Sequence, residues 1–118
     1  MLTPETRSLL SKAIVQARGA EVCGFLLEHP VTGESLALVR NLETRPGRFV
    51  VPDSERRRIE GAALRSGARV ASFVHSHANS LRLSDADRLE AGAGDLPWIL
   101  VALRDGNLRS RRFDLRSG

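Results

Sequence analysis

The sequence predicts a single α/β domain: a mixed, mainly antiparallel sheet flanked by helices. Three observations carry this. Segments with helical three-and-four apolar spacing alternate with short apolar runs of strand length. Thr32-Gly33 and Asp105-Gly106-Asn107 fall between such runs as hairpin turns. The chain has 118 residues, enough for one hydrophobic core and not for two.

In chain order, Thr3-Pro4-Glu5 reads as a helix start, with a capping hydroxyl, proline in the first turn and an acid at the positive end. Leu9, Leu10, Ala13, Ile14 and Ala17 give that helix its apolar face, and Gly19 is expected to close it in the left-handed conformation. Val22 to Leu27 reads as a buried strand, and Ser35 to Val39 as its antiparallel return across the Thr32-Gly33 turn. Asn41 to Gly47 reads as loop, and Arg48 to Val51 as a further extended piece. Pro52-Asp53-Ser54 opens a second helix that buries Ile59, Ala62 and Ala63 and ends at Ser66-Gly67. Val70 to Val74 is a strand, Ala78 to Leu83 a loop, and Ser84 starts a short helix running to about Glu90, broken by the glycines at 92 and 94. Trp98 to Leu103 and Leu108 to Leu115 are strands across the last hairpin turn, and no linker or repeat divides the chain.

Charge and composition narrow the function classes. The net charge is +4, and the cations are almost all arginine, clustered at Arg56-Arg57-Arg58 and from Arg109 to Arg116. Four phenylalanines and one tryptophan are few, and none is interleaved among the arginines as a stacking platform for bases. A solvated basic face, or one that docks an acidic protein, is therefore the better reading than a nucleic-acid site. No apolar run is long enough for a membrane span, and the opening residues lack the basic and apolar regions of a leader. With a single cysteine, Cys23, the expected compartment is the cytoplasm. Cys23 lies inside an apolar run, which favours an inert buried thiol over a nucleophile, and Trp98 reads as core.

The chemistry concentrates in Phe73-Val74-His75-Ser76-His77 and Ser84-Asp85-Ala86-Asp87. Residues two apart on an extended segment face the same way, so His75 and His77 present both imidazoles together. With Asp87 they make three zinc ligands and leave one coordination position open, as a catalytic site requires. Each has a plainer reading. A histidine pair can simply bond backbone at a strand end, and Ser84 with Asp87 matches a capping box. Glu21, just ahead of the Val22 strand, is either exposed punctuation or a carboxylate that relays a proton beside a metal.

Taken as a set, these residues resemble the JAMM/MPN (JAB-domain) metalloproteases. That pattern is a glutamate ahead of an apolar strand, then His-x-His, seven residues, Ser, two residues and Asp. Glu21-Val22-Cys23-Gly24-Phe25-Leu26-Leu27 resembles its first part, and His75-Ser76-His77 with Ser84 and Asp87 its second. The order of helices and strands is also similar, across nearly the whole chain. The resemblance implies the MPN/JAB, cytidine-deaminase-like fold and one zinc ion held by His75, His77 and Asp87. It implies Glu21 as general acid/base, Ser84 as donor to the oxyanion, and attack by a metal-bound water on a peptide or isopeptide bond. The implied substrate is the C-terminal tail of a ubiquitin-like or sulfur-carrier protein. The run Gly94 to Ile99, with Asp85 to Arg88, is similar to the phage-tail-assembly subgroup, an alternative setting, and a metal-free MPN scaffold is the other. Two departures stand out: Ala78 replaces the usual proline, and six residues rather than seven separate His77 from Ser84.

Overall fold

The computed structural model describes residues 2–41, 51–78 and 80–114. Eight elements run in the order α1 (Pro4–Ala17), β1 (Cys23–His29), β2 (Gly33–Val39), α2 (Asp53–Ser66), β3 (Arg69–Ser76), α3 (Asp85–Ala93), β4 (Trp98–Arg104) and β5 (Asn107–Phe113). The five strands form one mixed sheet in the order β2-β1-β3-β4-β5, antiparallel except for β3 beside β4. The expected α/β domain is found. The expected extended piece from Arg48 lies outside the described residues, apart from Val51.

The sheet buries both faces. On one, Leu2 and Leu10 from the α1 side pack on Leu26, Val74, Ile99, Val101 and Leu108. On the other, Ile59 of α2 and Leu83 ahead of α3 cover Cys23, Phe25, Phe73, Trp98 and Leu100. The second face holds the histidines, because His75 is two residues from Phe73 and stands level with Leu100 of β4.

Local chemistry explains the elements and some differences. The Thr3 hydroxyl caps α1 as expected, accepting from the Thr6 amide. Its buried side is centred on Thr6 and Leu10, while Leu9 is 50% exposed: two adjacent helical residues point about 100° apart and cannot share one narrow face. The left-handed cap is Arg18, one residue earlier than expected, with Gly19 following at φ 93°. In α2, Ile59 and Ala63 are buried at a four-residue spacing and Ala62 is exposed, for the same reason. Helix α3 runs to Ala93, past Gly92, since a single glycine costs only about 1 kcal/mol in a helix.

Gly24 is required by close approach: a Cβ there would lie 2.9 Å from the Ala37 carbonyl of β2. The β4–β5 turn places Asp105 at φ 52° and Gly106 at φ 79°, as expected for a two-residue hairpin. Among the described residues no helix is long and apolar enough to cross a membrane.

Candidate metal centre

Strand β3 ends in the site. His75 is fully buried, stacked on Phe73 with centroids 5.7 Å apart and meeting the edge of Trp98 at 4.9 Å. Trp98 is core, as expected, and is also a wall of the site. His77 follows the last strand residue, held by its amide donating to the Val101 carbonyl. The two imidazoles converge, with their Nε2 atoms 3.2 Å apart.

Asp87 arrives from the first turn of α3. Ser84 and Asp87 form a capping box, in which the Asp87 amide donates to Ser84 Oγ and the Ser84 amide donates to Asp87 Oδ2. That same Oδ2 lies 2.9 Å from His77 Nε2 and 3.5 Å from His75 Nε2. The capping-box reading of Asp87 is realised, and the cap aims the same carboxylate at the histidines. Ser84 is an exposed residue whose Oγ accepts from the cap, leaving its proton to donate.

Glu21 is buried, at 4% exposure, and its Oε1 has no hydrogen-bond partner among the described residues. Its placement depends on backbone contacts on both sides. The Asn41 side chain donates to the Glu21 carbonyl at 2.9 Å. Val22 and Ser76 are tied twice, the Val22 amide donating to Ser76 Oγ at 2.8 Å and the Ser76 amide to the Val22 carbonyl at 2.9 Å. Glu21, His75 and His77 each bring a ligand atom within 4.8 Å of the other two, so these three can hold a metal ion. Sequence reasoning missed Asn41 and Ser76. Their work is done on backbone groups 20 and 54 residues away, and no local pattern marks it.

The donor set suits a cation. Ligand atoms about 2.0–2.1 Å from a tetrahedral zinc ion lie about 3.3 Å from one another. The three separations among His75 Nε2, His77 Nε2 and Asp87 Oδ2 are 3.2, 3.5 and 2.9 Å. Each lies within about 0.4 Å of that edge, and all three fall well inside the 4.8 Å that bounds the set through Glu21.

The electrostatics follow from the packing. Burial pushes the Glu21 carboxyl up to about 7, with His77 opposing and Asp87 adding to the rise. Burial would also raise Asp87, but hydrogen bonds from His75 and His77 and the Ser84 amide hold it far below the usual carboxylate range. Burial lowers His75, while the bond to Asp87 raises His77. Cys23 is fully buried, and burial with the nearby Glu21 and Asp87 carboxylates pushes its thiol up to about 12. It is no nucleophile near neutral pH.

No protein-family model matches the chain, and no curated protein matches it either. Solved structures do. Protein DSY2949 from Desulfitobacterium hafniense is 21% identical with a TM-score of 0.83, over 97% of this chain and 82% of that one. A protein from Salinibacter ruber is 26% identical with a TM-score of 0.61, over 92% and 78%. AF2198, a JAB1/MPN domain protein from Archaeoglobus fulgidus, is 18% identical with a TM-score of 0.59, over 92% and 82%. At these identities the likeness is one of architecture, and this chain shares the fold of a JAB1/MPN domain protein.

Proposed function

We propose that this chain is a metal-dependent peptidase or isopeptidase, with one zinc ion held by His75, His77 and Asp87. The observation that carries the reading is the triangle of ligand atoms, with edges of 3.2, 3.5 and 2.9 Å, at the end of β3. Two imidazoles and one carboxylate suit zinc and leave a position open. Zinc bound there supplies Lewis acidity, acidifying a water and polarising a carbonyl.

The remaining work falls to the chain itself. Glu21 takes the proton of the attacking water on Oε1, the atom with no partner among the described residues, and returns it to the leaving amine. Ser84 Oγ, oriented by the Asp87 amide, donates a hydrogen bond to the oxygen on which negative charge builds. The Phe73 and Trp98 rings exclude water from His75 and fix its ring. The shortened loop between His77 and Ser84 is compatible with these roles, because the capping box still ties Ser84 to Asp87 and Asp87 to the histidines. The substrate we favour is the C-terminal tail of a ubiquitin-like or sulfur-carrier protein in the cytoplasm.

The test is metal content together with turnover. Wild-type protein purified without added metal should carry about one zinc per chain, and the His75→Ala/His77→Ala variant essentially none. Glu21→Gln should keep its zinc and lose hydrolysis of ubiquitin-like fusions. Wild type that takes up no zinc when it is supplied would overturn the hydrolase and leave a metal-free MPN scaffold.

A further inference from the structure

The strand register places more than the metal ligands on the histidine face. His75 is level with Leu100 of β4, and Leu100 is level with Arg111 of β5. Trp98 is likewise level with Phe113, and Ala102 with Arg109. Residues paired across strands share a face, so Arg109 and Arg111 stand on the same side of the sheet as His75. At about 4.8 Å per strand, Arg111 begins about 10 Å from His75 along the sheet.

Both arginines are exposed, and neither has a carboxylate within ion-pair distance among the described residues. This separates them from Arg56, Arg58 and Arg69, which are committed to Asp95 and Glu60, to Glu55 and to Glu28. Arg111 is held in place by lying 4.8 Å over the Phe113 ring, which leaves its N–H edge available to accept a planar anion.

A groove of about 630 Å³ is lined by Arg109 on one side and by residues just after His77 on the other. One wall is the loop after His77, with Ala78, Ser80 and Leu81, and the other is the β4–β5 hairpin, with Ala102, Arg104 and Arg109. Asp105 is the one carboxylate lining it, at the turn. From Arg109 onward the outer edge of β5 pairs with no strand among the described residues and so offers backbone donors and acceptors to an extended chain.

We propose that this groove and the β5 edge bind an extended acidic peptide segment, added alongside β5 with its carboxylates on Arg109 and Arg111. Strand addition supplies affinity through backbone bonds, and side chains at alternate positions supply selection. Arg109 and Arg111 are two residues apart, so they read alternate residues of the incoming chain. An exposed strand edge fits a peptide, and Phe113, the ring beside Arg111, is overlaid by that guanidinium rather than free to stack on a base. As the substrate subsite of the proposed peptidase this rests on that reading. As a binding site it does not.

The test is fluorescence anisotropy with a labelled peptide of about ten residues alternating glutamate and valine, a length that spans one strand. The comparisons are the same peptide with glutamine or lysine for glutamate, and a single-stranded oligothymidylate of equal charge. Each is titrated with chelator-stripped protein and with zinc-supplied protein. The glutamate peptide should bind about tenfold tighter than the glutamine peptide, and tighter than the oligothymidylate. Arg109→Gln/Arg111→Gln should abolish that preference, and Arg109→Glu/Arg111→Glu should turn it towards the lysine peptide. Arg57→Gln/Arg65→Gln, which removes two exposed arginines of α2, should leave it unchanged.

The proposal is overturned if glutamate and glutamine peptides bind alike, or if both glutamine double variants lose binding equally. Tighter binding of the oligothymidylate also overturns it and assigns the ridge to nucleic acid. Acidic-peptide binding by a protein that takes up no zinc would keep the groove and lose the hydrolase. Hydrolysis of fusions with no preference for acid would do the reverse.

Discussion

Ser76 stands between the two histidines and faces away from them, yet it governs the site through Val22. Its hydroxyl accepts the Val22 amide at 2.8 Å, and its own amide returns a bond to the Val22 carbonyl. Glu21 is the next residue, so its carboxylate is positioned by that pair and by Asn41. Ser76→Ala would leave the half-buried Val22 amide without that partner, costing about 1 kcal/mol. The expected outcome is a lower melting temperature with zinc content retained and turnover reduced, and Ser76→Thr, which keeps the oxygen, should restore both. Loss of zinc from Ser76→Ala would show that the pair holds the histidines and not Glu21. Removing the hydroxyl of Ser84 should slow hydrolysis by about 10²-fold, the usual effect of losing one oxyanion donor, with zinc unchanged. Five site residues were legible in the sequence, because two-residue and three-residue spacings put His75, His77, Ser84 and Asp87 in register, and Glu21 opens a strand. Ser76 and Asn41 were not legible, since a side chain that bonds distant backbone leaves no periodicity behind.

At the scale of elements, α1 is fastened to the sheet through its first turn. Glu34 of β2 accepts the Thr3 amide at 3.0 Å, just where α1 begins. Arg7 reaches the Leu108 carbonyl at the start of β5. Burial alone would raise the Glu34 carboxyl, but the Thr3 amide and the Thr6 and Thr3 hydroxyls outweigh it and hold the group below its ordinary 4.5. A depressed carboxylate contributes stability that is complete above pH 4.5 and lost as pH falls through the folded value. Because the side chain is only half-buried, solvent screens that contribution to about 0.5–1 kcal/mol. Thermal melts should therefore find Glu34→Gln less stable than wild type at pH 7, with the gap closing in acid. A gap independent of pH would mean that the charge is irrelevant. Periodicity and capping signals located the three helices of the described residues, but they did not separate Leu9 from Leu10 or Ala62 from Ala63. Which neighbour turns inward is set by where the sheet lies, and that is tertiary information.

For the molecule as a whole, the site joins parts that the chain alone leaves loosely related. His75, His77 and Asp87 come from one short stretch, while Glu21 comes from the chain just ahead of β1, more than 50 residues earlier. Zinc at a hundred times its dissociation constant should stabilise the fold by about 2.7 kcal/mol and raise its melting temperature by roughly 10 °C. Calorimetry with and without chelator reads this directly, and an unchanged melting temperature would mean no binding to the folded state. Sequence patterns gave the mixed sheet and its hairpins. They did not give the lateral order of strands, which alone brings Arg109 and Arg111 onto the histidine face. That order has another result. A bare outer strand is an invitation to stack with its own kind, and β5 carries Arg109, Arg111 and Arg112 along its length. Two copies meeting edge to edge would set guanidinium against guanidinium, so the same cations oppose pairing of β5 with a second β5.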